Sequence, residues 1–334
     1  MKIGIVGSGN IVRTCLDAIA QIPSISCEAV VVRESSRAKG ESLVKEFGIN
    51  KLYSDYAAFL SDPTIDIVYI GITNNLHYEY TLAALNANKH VICEKPFTSN
   101  YAELLTLSAL ARKNNLFLFE AITTLYSPNV QFIQENIGKL GDIKLVQCNY
   151  SQYSSRYSQY LAGTVLPAFD PAMSGGALYD INIYNLHFTC ALFGAPLSVA
   201  YHANIGFNGI DTSGVLLLTY ADFIAVCCGA KDSQSPSHAT VQGTKGYLKL
   251  TSAPNTANSV ECCFDNELSI VDNNKYENHM VYEFMNFETM LMQNDYTRCY
   301  KNLDHSLIVL NVLNEARKQA GIHFLSDSTC HITS

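Results

Sequence analysis

The segment KIGIVGSGNIV, residues 2–12, decides the fold of this chain. Residues 2–6 alternate as a short buried strand, and the turn Gly7-Ser8-Gly9 follows directly. Apolar residues then recur at helical spacing, which predicts a helix. A glycine turn between a strand and a helix brings backbone amides and the positive end of the helix dipole together, an arrangement that suits a pyrophosphate group.

We therefore predict a dinucleotide site here, in which Gly7 permits the tight bend and Gly9 lets the backbone approach the phosphates. The first helical residues, Asn10 and Ile11, are included in this cofactor site. The third glycine of the usual fingerprint is replaced by Val12, so a plain strand, turn and helix stays an alternative interpretation.

The second predicted strand, residues 27–32, runs into the polar turn Arg33-Glu34-Ser35-Ser36-Arg37. Two guanidinium groups can pair with a 2′-phosphate, and the serine hydroxyls add donors, which favours NADP over NAD. Glu34 leaves NAD possible, because a carboxylate there can bind a ribose hydroxyl. The remaining alternative is a solvated charged turn.

Strand and helix patterns keep alternating to about residue 120, which predicts a doubly wound parallel Rossmann sheet over residues 1–120. In such sheets ligands bind beyond the carboxyl ends of the strands. The turn after the predicted strand 67–70 carries polar residues that we assign to the nicotinamide half of the cofactor: Thr73, Asn74, Asn75 and His77. For His77, a structural, hydrogen-bonded histidine is the alternative.

Charged residues also stand at the end of another predicted strand. The stretch VICEKP, residues 91–96, is an apolar strand that ends in Glu94 and Lys95, with Pro96 restricting the backbone and able to take the cis form. We place Lys95 at the centre of an active site and Glu94 beside the cofactor. An ordinary solvated ion pair at a strand end is the alternative.

Taken in order, these motifs resemble the Gfo/Idh/MocA oxidoreductase family. The motifs are Gly7-x-Gly9, Thr73-Asn74-Asn75-x-His77, Lys89-His90-Val91-x-x-Glu94-Lys95-Pro96 and Glu120-Ala121. The resemblance implies that Lys95 contacts the substrate near the reacting carbon and tunes the catalytic base. We also assign Lys95 to the cofactor site. The family often has proline where this chain has Asn74, which puts the shape of that loop in question.

Residues 121–334 are expected to form a substrate-binding and oligomerisation domain with a mostly antiparallel open sheet flanked by helices. The predicted strands are residues 143–150, 197–207, 212–220, 223–230, 238–242 and 246–251, and the predicted helices include 128–137 and 304–320. Tyr153, Arg156 and Tyr157 are candidate substrate-binding residues, because tyrosine rings with polar neighbours suit a polyhydroxylated or aromatic substrate. A polar loop with incidental tyrosines is the alternative.

The run SGGALYDINIYN, residues 174–185, predicts glycines followed by a helix, with Asp180 and Tyr184 four residues apart on one face. An acid and a phenol aimed at one point suit proton exchange with a hydroxyl if a cation such as Lys95 lowers the pKa of the tyrosine from about 10. The run also resembles the tyrosine-type branch of the family, which implies Tyr184 as general acid/base. We assign Asp180 to the catalytic and substrate-binding residues, where it orients the substrate or Lys95. Asn182 and Ser174 stand where that branch has glycine.

The expected function is therefore hydride transfer between NADP and a carbinol or carbonyl carbon of a sugar, polyol or dihydrodiol. Two alternatives stay open. One is a glycosidase that keeps its cofactor bound and oxidises the substrate transiently. The other is a non-catalytic dinucleotide sensor that regulates a partner.

Composition narrows the choice of partners. The chain has 334 residues with 22 Lys+Arg against 30 Asp+Glu and no basic run, so nucleic acid is not an expected partner. It shows neither a membrane-spanning apolar run nor a signal-peptide pattern, and its 11 cysteines lack metal-site spacing, so we expect a cytoplasmic protein without a metal. Predicted strands that are apolar on both faces indicate a homodimer or higher homo-oligomer.

Overall fold

The computed structural model describes residues 1–328. The chain forms two compact units, the first made of Met1–Ala121 and Tyr276–Asp304. The second contains Ile122–Lys275 and the chain from His305 onward. The sequence-based division had assigned Tyr276–Asp304 to the second domain, but this segment packs within the first unit.

The first unit contains a parallel six-stranded Rossmann sheet, as predicted. Its strands are β1 (Lys2–Val6), β2 (Ser26–Val31), β3 (Lys51–Tyr53), β4 (Ile67–Ile70), β5 (His90–Glu94) and β6 (Leu118–Ala121), in the order β3-β2-β1-β4-β5-β6. Its first five helices are α1 (Asn10–Ile19), α2 (Arg37–Phe47), α3 (Tyr56–Leu60), α4 (His77–Asn86) and α5 (Tyr101–Lys113). The strand order reverses between β1 and β4, and ligands bind at such a switch point in open α/β sheets.

The second unit is built on a mostly antiparallel eight-stranded sheet, as expected. The strands are β7 (Ile143–Ser151), β8 (Ser198–Ile205), β9 (Asp211–Thr219), β10 (Ile224–Ala230), β11 (His238–Gly243), β12 (Gly246–Leu250), β13 (Val260–Phe264) and β14 (Glu267–Val271), in the order β14-β13-β12-β11-β7-β10-β9-β8. Its helices are α6 (Pro128–Asn136), α7 (Tyr157–Leu161) and α8 (Ile183–Phe193). Only β7 and β10 pair in parallel among these strands. Strands β13 and β14 were not predicted.

The last two long helices are α9 (Met280–Met292) and α10 (Tyr296–Gln319). Helix α9 was not predicted, and α10 begins earlier than residue 304, where the sequence placed its start. Phe284 and Phe287 of α9 are fully buried, with ring centroids 5.9 Å from Tyr69 and 4.6 Å from Phe119, respectively. These contacts with β4 and β6 explain why α9 belongs to the first unit. In residues 1–328 no helix is both long and apolar enough to cross a membrane.

The two faces of the eight-stranded sheet differ. Along β9, Leu216 and Leu218 are fully buried, whereas Val215 and Leu217 on the opposite face are each 37% exposed. On the neighbouring strand β10, Ala225 is buried and Ile224 is 49% exposed. One face therefore supplies a core, and the other presents apolar side chains to solvent.

The first unit buries several carboxyl groups, among them Glu94, Glu120 and Glu283. The Tyr69 hydroxyl donates a 2.6 Å hydrogen bond to Glu94 Oε1. Burial raises the pKa of Glu94 to about 7, against an ordinary value of 4.5. Burial, followed by the charges of Glu94 and Glu120, raises the pKa of Glu283 well above the ordinary range. Glu94 thus favours the neutral form below about pH 7, and Glu283 favours it at higher pH as well.

This shift makes stability depend on pH. Because the pKa of Glu94 rises to about 7 on folding, the folded state binds this proton more tightly than the unfolded state does. The stabilisation is complete below the unfolded pKa and is lost as pH rises through about 7. We expect the free energy of unfolding to fall between about pH 5 and pH 8, and Glu94→Gln to remove part of that fall, up to about 3 kcal/mol.

Urea unfolding across this pH range measures the effect. Glu267→Gln is the control, because Glu267 is exposed on β14. Equal pH slopes for the wild type and Glu94→Gln would contradict the assignment of the titrating group.

Candidate active site

A cavity of about 370 Å³ lies in the first unit, beyond the carboxyl ends of β1, β2 and β4. Of the residues that the sequence assigned to a cofactor, six line it: Gly7, Gly9, Ile11, Arg33, Ser36 and Thr73. Lys39, Ser54, Tyr56 and Tyr80 also line it and were not predicted. The cavity therefore gathers residues from three separate strand ends of one sheet.

The glycine turn forms one wall of this cavity. Gly7 has a φ of +113°, and an added Cβ would collide with the carbonyl oxygen of Gly71. At Gly9 an added Cβ would enter open space, with nothing within 4 Å. Gly9 is also the N-cap of α1, where no side chain among the described residues caps the helix. The open backbone and helix amino end fit a pyrophosphate, so these residues fit a dinucleotide.

Val12 does not block this turn, although it replaces the third glycine of the fingerprint. Its side chain is fully buried. The space it needs comes from Gly71, where an added Cβ would lie 2.9 Å from Val12 Cγ2. Helix and sheet therefore pack closely here because the glycine stands at the end of β4 rather than in the helix.

The basic turn after β2 is only partly as expected. Arg33 and Ser36 line the cavity, but Ser35 and Arg37 are not among its described lining residues. Arg37 instead forms an ion pair with Glu41 at 3.2 Å. Lys39 supplies a second cation to the cavity wall. Lys39 lies three residues after Ser36, which immediately precedes α2. Residues at this spacing share one face of a helix, so the sequence could have indicated that Lys39 lies beside Ser36.

The loop after β4 is anchored by a buried histidine. Thr73 borders the cavity, whereas Asn74, Asn75 and His77 are not among its described lining residues. His77 is fully buried, with Nδ1 2.8 Å from the Pro96 carbonyl oxygen and Nε2 3.2 Å from that of Ile72. Burial lowers the pKa of His77, so the ring favours its neutral form, which donates to one of these two carbonyl oxygens and serves as a structural residue.

Asn75 contributes an orphaned acceptor to this loop. Its Oδ1 atom is buried and accepts no hydrogen bond from any residue in 1–328. Buried polar atoms of this kind normally have a hydrogen-bond partner.

Asn10 is the first residue of α1 and directly follows the glycine turn. It is not among the described residues that line the cavity.

Lys95 follows β5 directly, and the Lys95-Pro96 peptide is cis. The Lys95 side chain is half-buried. Its neighbour Glu94 is buried and bonded to Tyr69 and is not among the described residues that line the cavity. The structure thus places Lys95 at a strand end of the Rossmann sheet, while Glu94 is held inside the unit.

In the second unit, Asp180 lies in a π-helical turn, Leu178–Asn182, and Tyr184 lies in the first turn of α8. The sequence predicted an ordinary helix across both residues. π-Helical turns are rare and are frequent at functional sites. Asn182 fits here because Gly229 on β10 faces it: an added Cβ at Gly229 would lie 2.7 Å from Asn182 Cβ. The Asn182 amide also donates to the Cys227 carbonyl at 3.0 Å.

Asp180 has a partner that was not predicted. Lys231 Nζ lies 2.6 Å from Asp180 Oδ2, and the Lys231 side chain is buried. The ring of Tyr184 lies 6.0 Å from that of Tyr150, between centroids. The predicted acid is therefore held by a buried cation within its own unit.

The candidate substrate-binding tyrosines belong to an aromatic cluster. Tyr153 contacts Tyr157 edge to face, with centroids 5.6 Å apart. Tyr157 and Tyr160 both contact Phe169, at 5.7 Å and 5.0 Å. Arg156 is exposed on the same segment. The structure therefore brings Tyr153 and Tyr157 together with Tyr160, a tyrosine of the same run, and with Phe169, which the sequence did not single out.

Comparison with known proteins agrees with this architecture. Residues 1–121 match the family model of the GFO/IDH/MocA oxidoreductases, described as an NAD-binding Rossmann fold. Residues 135–249 match the model of the GFO/IDH/MocA C-terminal domain. A 3-ketoreductase from Actinomadura kijaniata, solved in complex with NADP, has the same fold, with a TM-score of 0.81 and 20% identity over 96% of this chain and 97% of that one.

Curated relatives match over nearly their full length. The chain is 33% identical to a scyllo-inositol 2-dehydrogenase (NADP(+)) of Bacillus subtilis strain 168, over 98% of this chain and 99% of the relative. It is 27% identical to a trans-1,2-dihydrobenzene-1,2-diol dehydrogenase of Xenopus tropicalis, over 97% and 99%. The expected resemblance is confirmed: the chain belongs to the Gfo/Idh/MocA family of NAD(P)-dependent oxidoreductases.

Proposed function

We propose that this protein is an NADP-dependent dehydrogenase that acts on a secondary hydroxyl of a cyclic polyol. The observation that carries the proposal is the full-length similarity to a scyllo-inositol 2-dehydrogenase (NADP(+)). The basic cavity beyond the Rossmann sheet supports the choice of cofactor. The open glycine turn supports a dinucleotide as its occupant.

Arg33, Ser36 and Lys39 would hold the 2′-phosphate, since a monoester phosphate pairs well with two cations and a hydroxyl. The turn from Gly7 to Asn10 would hold the pyrophosphate, and the loop from Thr73 to His77 would border the nicotinamide. When bound, NADP supplies hydride exchange with the substrate carbon.

Replacing Lys39 tests the cofactor assignment. We expect wild-type protein to bind NADPH more tightly than NADH, and Lys39→Met to weaken NADPH binding by about tenfold while leaving NADH binding unchanged. NADPH fluorescence is a suitable signal, because the chain contains no tryptophan. Lys45→Met, at the far end of α2, is the matched control. Equal affinities of the wild type for the two cofactors would overturn the NADP assignment.

Proton exchange and substrate binding are assigned to side chains of the protein. Tyr184 is proposed to exchange the hydroxyl proton, and Lys95 to polarise the substrate oxygen and favour the phenolate. Asp180 would orient the substrate through a charge-assisted hydrogen bond. Tyr153, Arg156 and Tyr157 would contact the rest of the polyol, since aromatic faces and polar groups suit a hydroxylated ring.

Turnover of cyclic polyols tests this assignment. We expect NADP⁺ reduction with scyllo-inositol, myo-inositol or a trans-dihydrodiol, followed by absorbance of NADPH. Tyr184→Phe should lower kcat at least about hundredfold and leave NADPH affinity unchanged, because only the proton acceptor is removed. The control is Tyr220→Phe, since the Tyr220 hydroxyl donates to the Gly194 carbonyl at the end of α8.

Two results of this assay would favour other functions. Release of free sugar from a glycoside without net NADPH formation would identify a glycosidase. Tight NADPH binding without turnover of any polyol, unaffected by Tyr184→Phe, would identify a dinucleotide sensor.

We also infer a homo-oligomer formed through the open face of the eight-stranded sheet. The apolar side chains of that face on β9 and β10 would be covered by the same face of a second copy. A cytoplasmic location is inferred from the cysteines, since all ten in residues 1–328 are free thiols.

The oligomer predicts that a charge on this face separates the subunits. Leu217→Glu should convert the wild-type dimer to a monomer in sedimentation velocity, because the carboxylate would be buried without a partner. Leu105→Glu is the control, since Leu105 is 49% exposed on α5 of the first unit. A monomeric wild type at micromolar concentration would contradict the proposal.

A further inference from the structure

Lys231 is a buried lysine one residue beyond the end of β10. Only 3% of its side chain is exposed. Its ammonium group donates 2.6 Å hydrogen bonds to Asp180 Oδ2 and to the Ala168 carbonyl oxygen. Lysine is seldom fully buried unless it is paired, so the ion pair with Asp180 compensates for the burial of this charge.

The same ammonium group also contacts an aromatic ring. Lys231 Nζ lies 4.5 Å from the centroid of Phe169, a cation–π contact. Phe169 in turn packs against Tyr157 and Tyr160. One cation thus joins the predicted acid Asp180 to the aromatic cluster that carries the candidate substrate residues.

The backbone holds Lys231 in place from two sides. Its N–H donates to the Thr212 carbonyl at 2.8 Å, and its carbonyl accepts from the Ser154 N–H at 2.9 Å. Thr212 belongs to β9, and Ser154 precedes α7. The position of the ammonium group is therefore set by the sheet and by the segment that bears Tyr153 and Tyr157.

A second buried acid, Asp211, faces the same region. It accepts hydrogen bonds from the Leu178 N–H at 2.6 Å and from the Tyr201 hydroxyl at 2.7 Å. Leu178 begins the π-helical turn that contains Asp180. Asp211 thus holds the backbone of that turn, and Lys231 holds the carboxylate of Asp180.

We propose that Lys231 is a positioning residue, which keeps Asp180 ionised and oriented toward a substrate hydroxyl and couples it to the aromatic cluster around Phe169. The proposal rests on the role of Asp180 in the proposed function. With Lys231 beside it, Asp180 serves as a fixed hydrogen-bond acceptor and not as the proton donor. The proton exchange is left to Tyr184.

A double-mutant cycle tests this coupling. Lys231→Met, Asp180→Asn and the double variant are assayed with NADP⁺ and scyllo-inositol, with Lys144→Met as the control for an exposed lysine of the same sheet. We expect Lys231→Met to lower kcat/KM at least tenfold in the wild-type background and less than twofold in the Asp180→Asn background. Lys231→Arg should retain more activity than Lys231→Met, because it keeps the charge.

Two further measurements separate this role from a merely structural one. In Lys231→Met the acid side of the kcat/KM pH profile should move to higher pH, because loss of a neighbouring cation disfavours an ionised carboxylate. The Tm loss caused by Lys231→Met should shrink in the Asp180→Asn background, because the carboxylate that pairs directly with Lys231 is then absent, while Asp211 is the same in both backgrounds. If Lys231→Met does not fold, Lys231→Gln in both backgrounds supplies the same cycle, because it also removes the charge.

The outcomes distinguish the two proposals. If Asp180→Asn lowers activity but Lys231→Met causes the same loss in both backgrounds and no shift of the pH profile, Lys231 has no positioning role and the proposed function stands. If Asp180→Asn keeps wild-type activity, the role of Asp180 fails, and the role of Lys231 fails with it.

Discussion

The close approach of β1 and β4 at their carboxyl ends is the constraint on which the dinucleotide cavity depends. A Cβ on Gly7 would strike the carbonyl oxygen of Gly71, and a Cβ on Gly71 would lie 2.9 Å from both Tyr69 Cε1 and Val12 Cγ2. The missing side chain at Gly71 also admits Val12, so α1 lies close against the sheet. The glycine turn and the loop after β4 can therefore border the same cavity, with the amino end of α1 opening into it.

Beyond this cavity, ionisable groups inside the protein are neutralised in two ways. In the first unit Glu94 and Glu283 respond to burial by favouring the neutral form, and Glu94 keeps Tyr69 as a hydrogen-bond donor. In the second unit the acid Asp180 is matched by the buried ammonium of Lys231. Neutralisation by a proton depends on pH within the physiological range, whereas neutralisation by a lysine does not.

The sequence predicted those parts of the fold that depend on local pattern. Residues 2–19 combine strand alternation, a glycine turn and helical spacing, and each agrees with the structure. Lys231 and α9 were missed because their places depend on distant partners: Lys231 meets Asp180, 51 residues away, and Phe287 packs on Phe119. Lys39 was also missed, although no distant partner decides its position. It lies three residues after Ser36, and that spacing alone indicates that both residues share one face of the helix. The catalytic roles of Lys95, Asp180 and Tyr184 stay predictions.

The return of Tyr276–Asp304 to the first unit has a consequence for how the chain folds during synthesis. Residues 1–121 leave the ribosome early, but the rings of Phe284 and Phe287 that pack on their sheet arrive only after the second unit's strands have been made. Part of the apolar surface of the nascent Rossmann sheet therefore stays exposed until α9 has been synthesised. Exposed apolar surface of this kind binds chaperones or leads to aggregation. If residues 1–121 were fused to another protein without α9, the same apolar surface would stay exposed permanently.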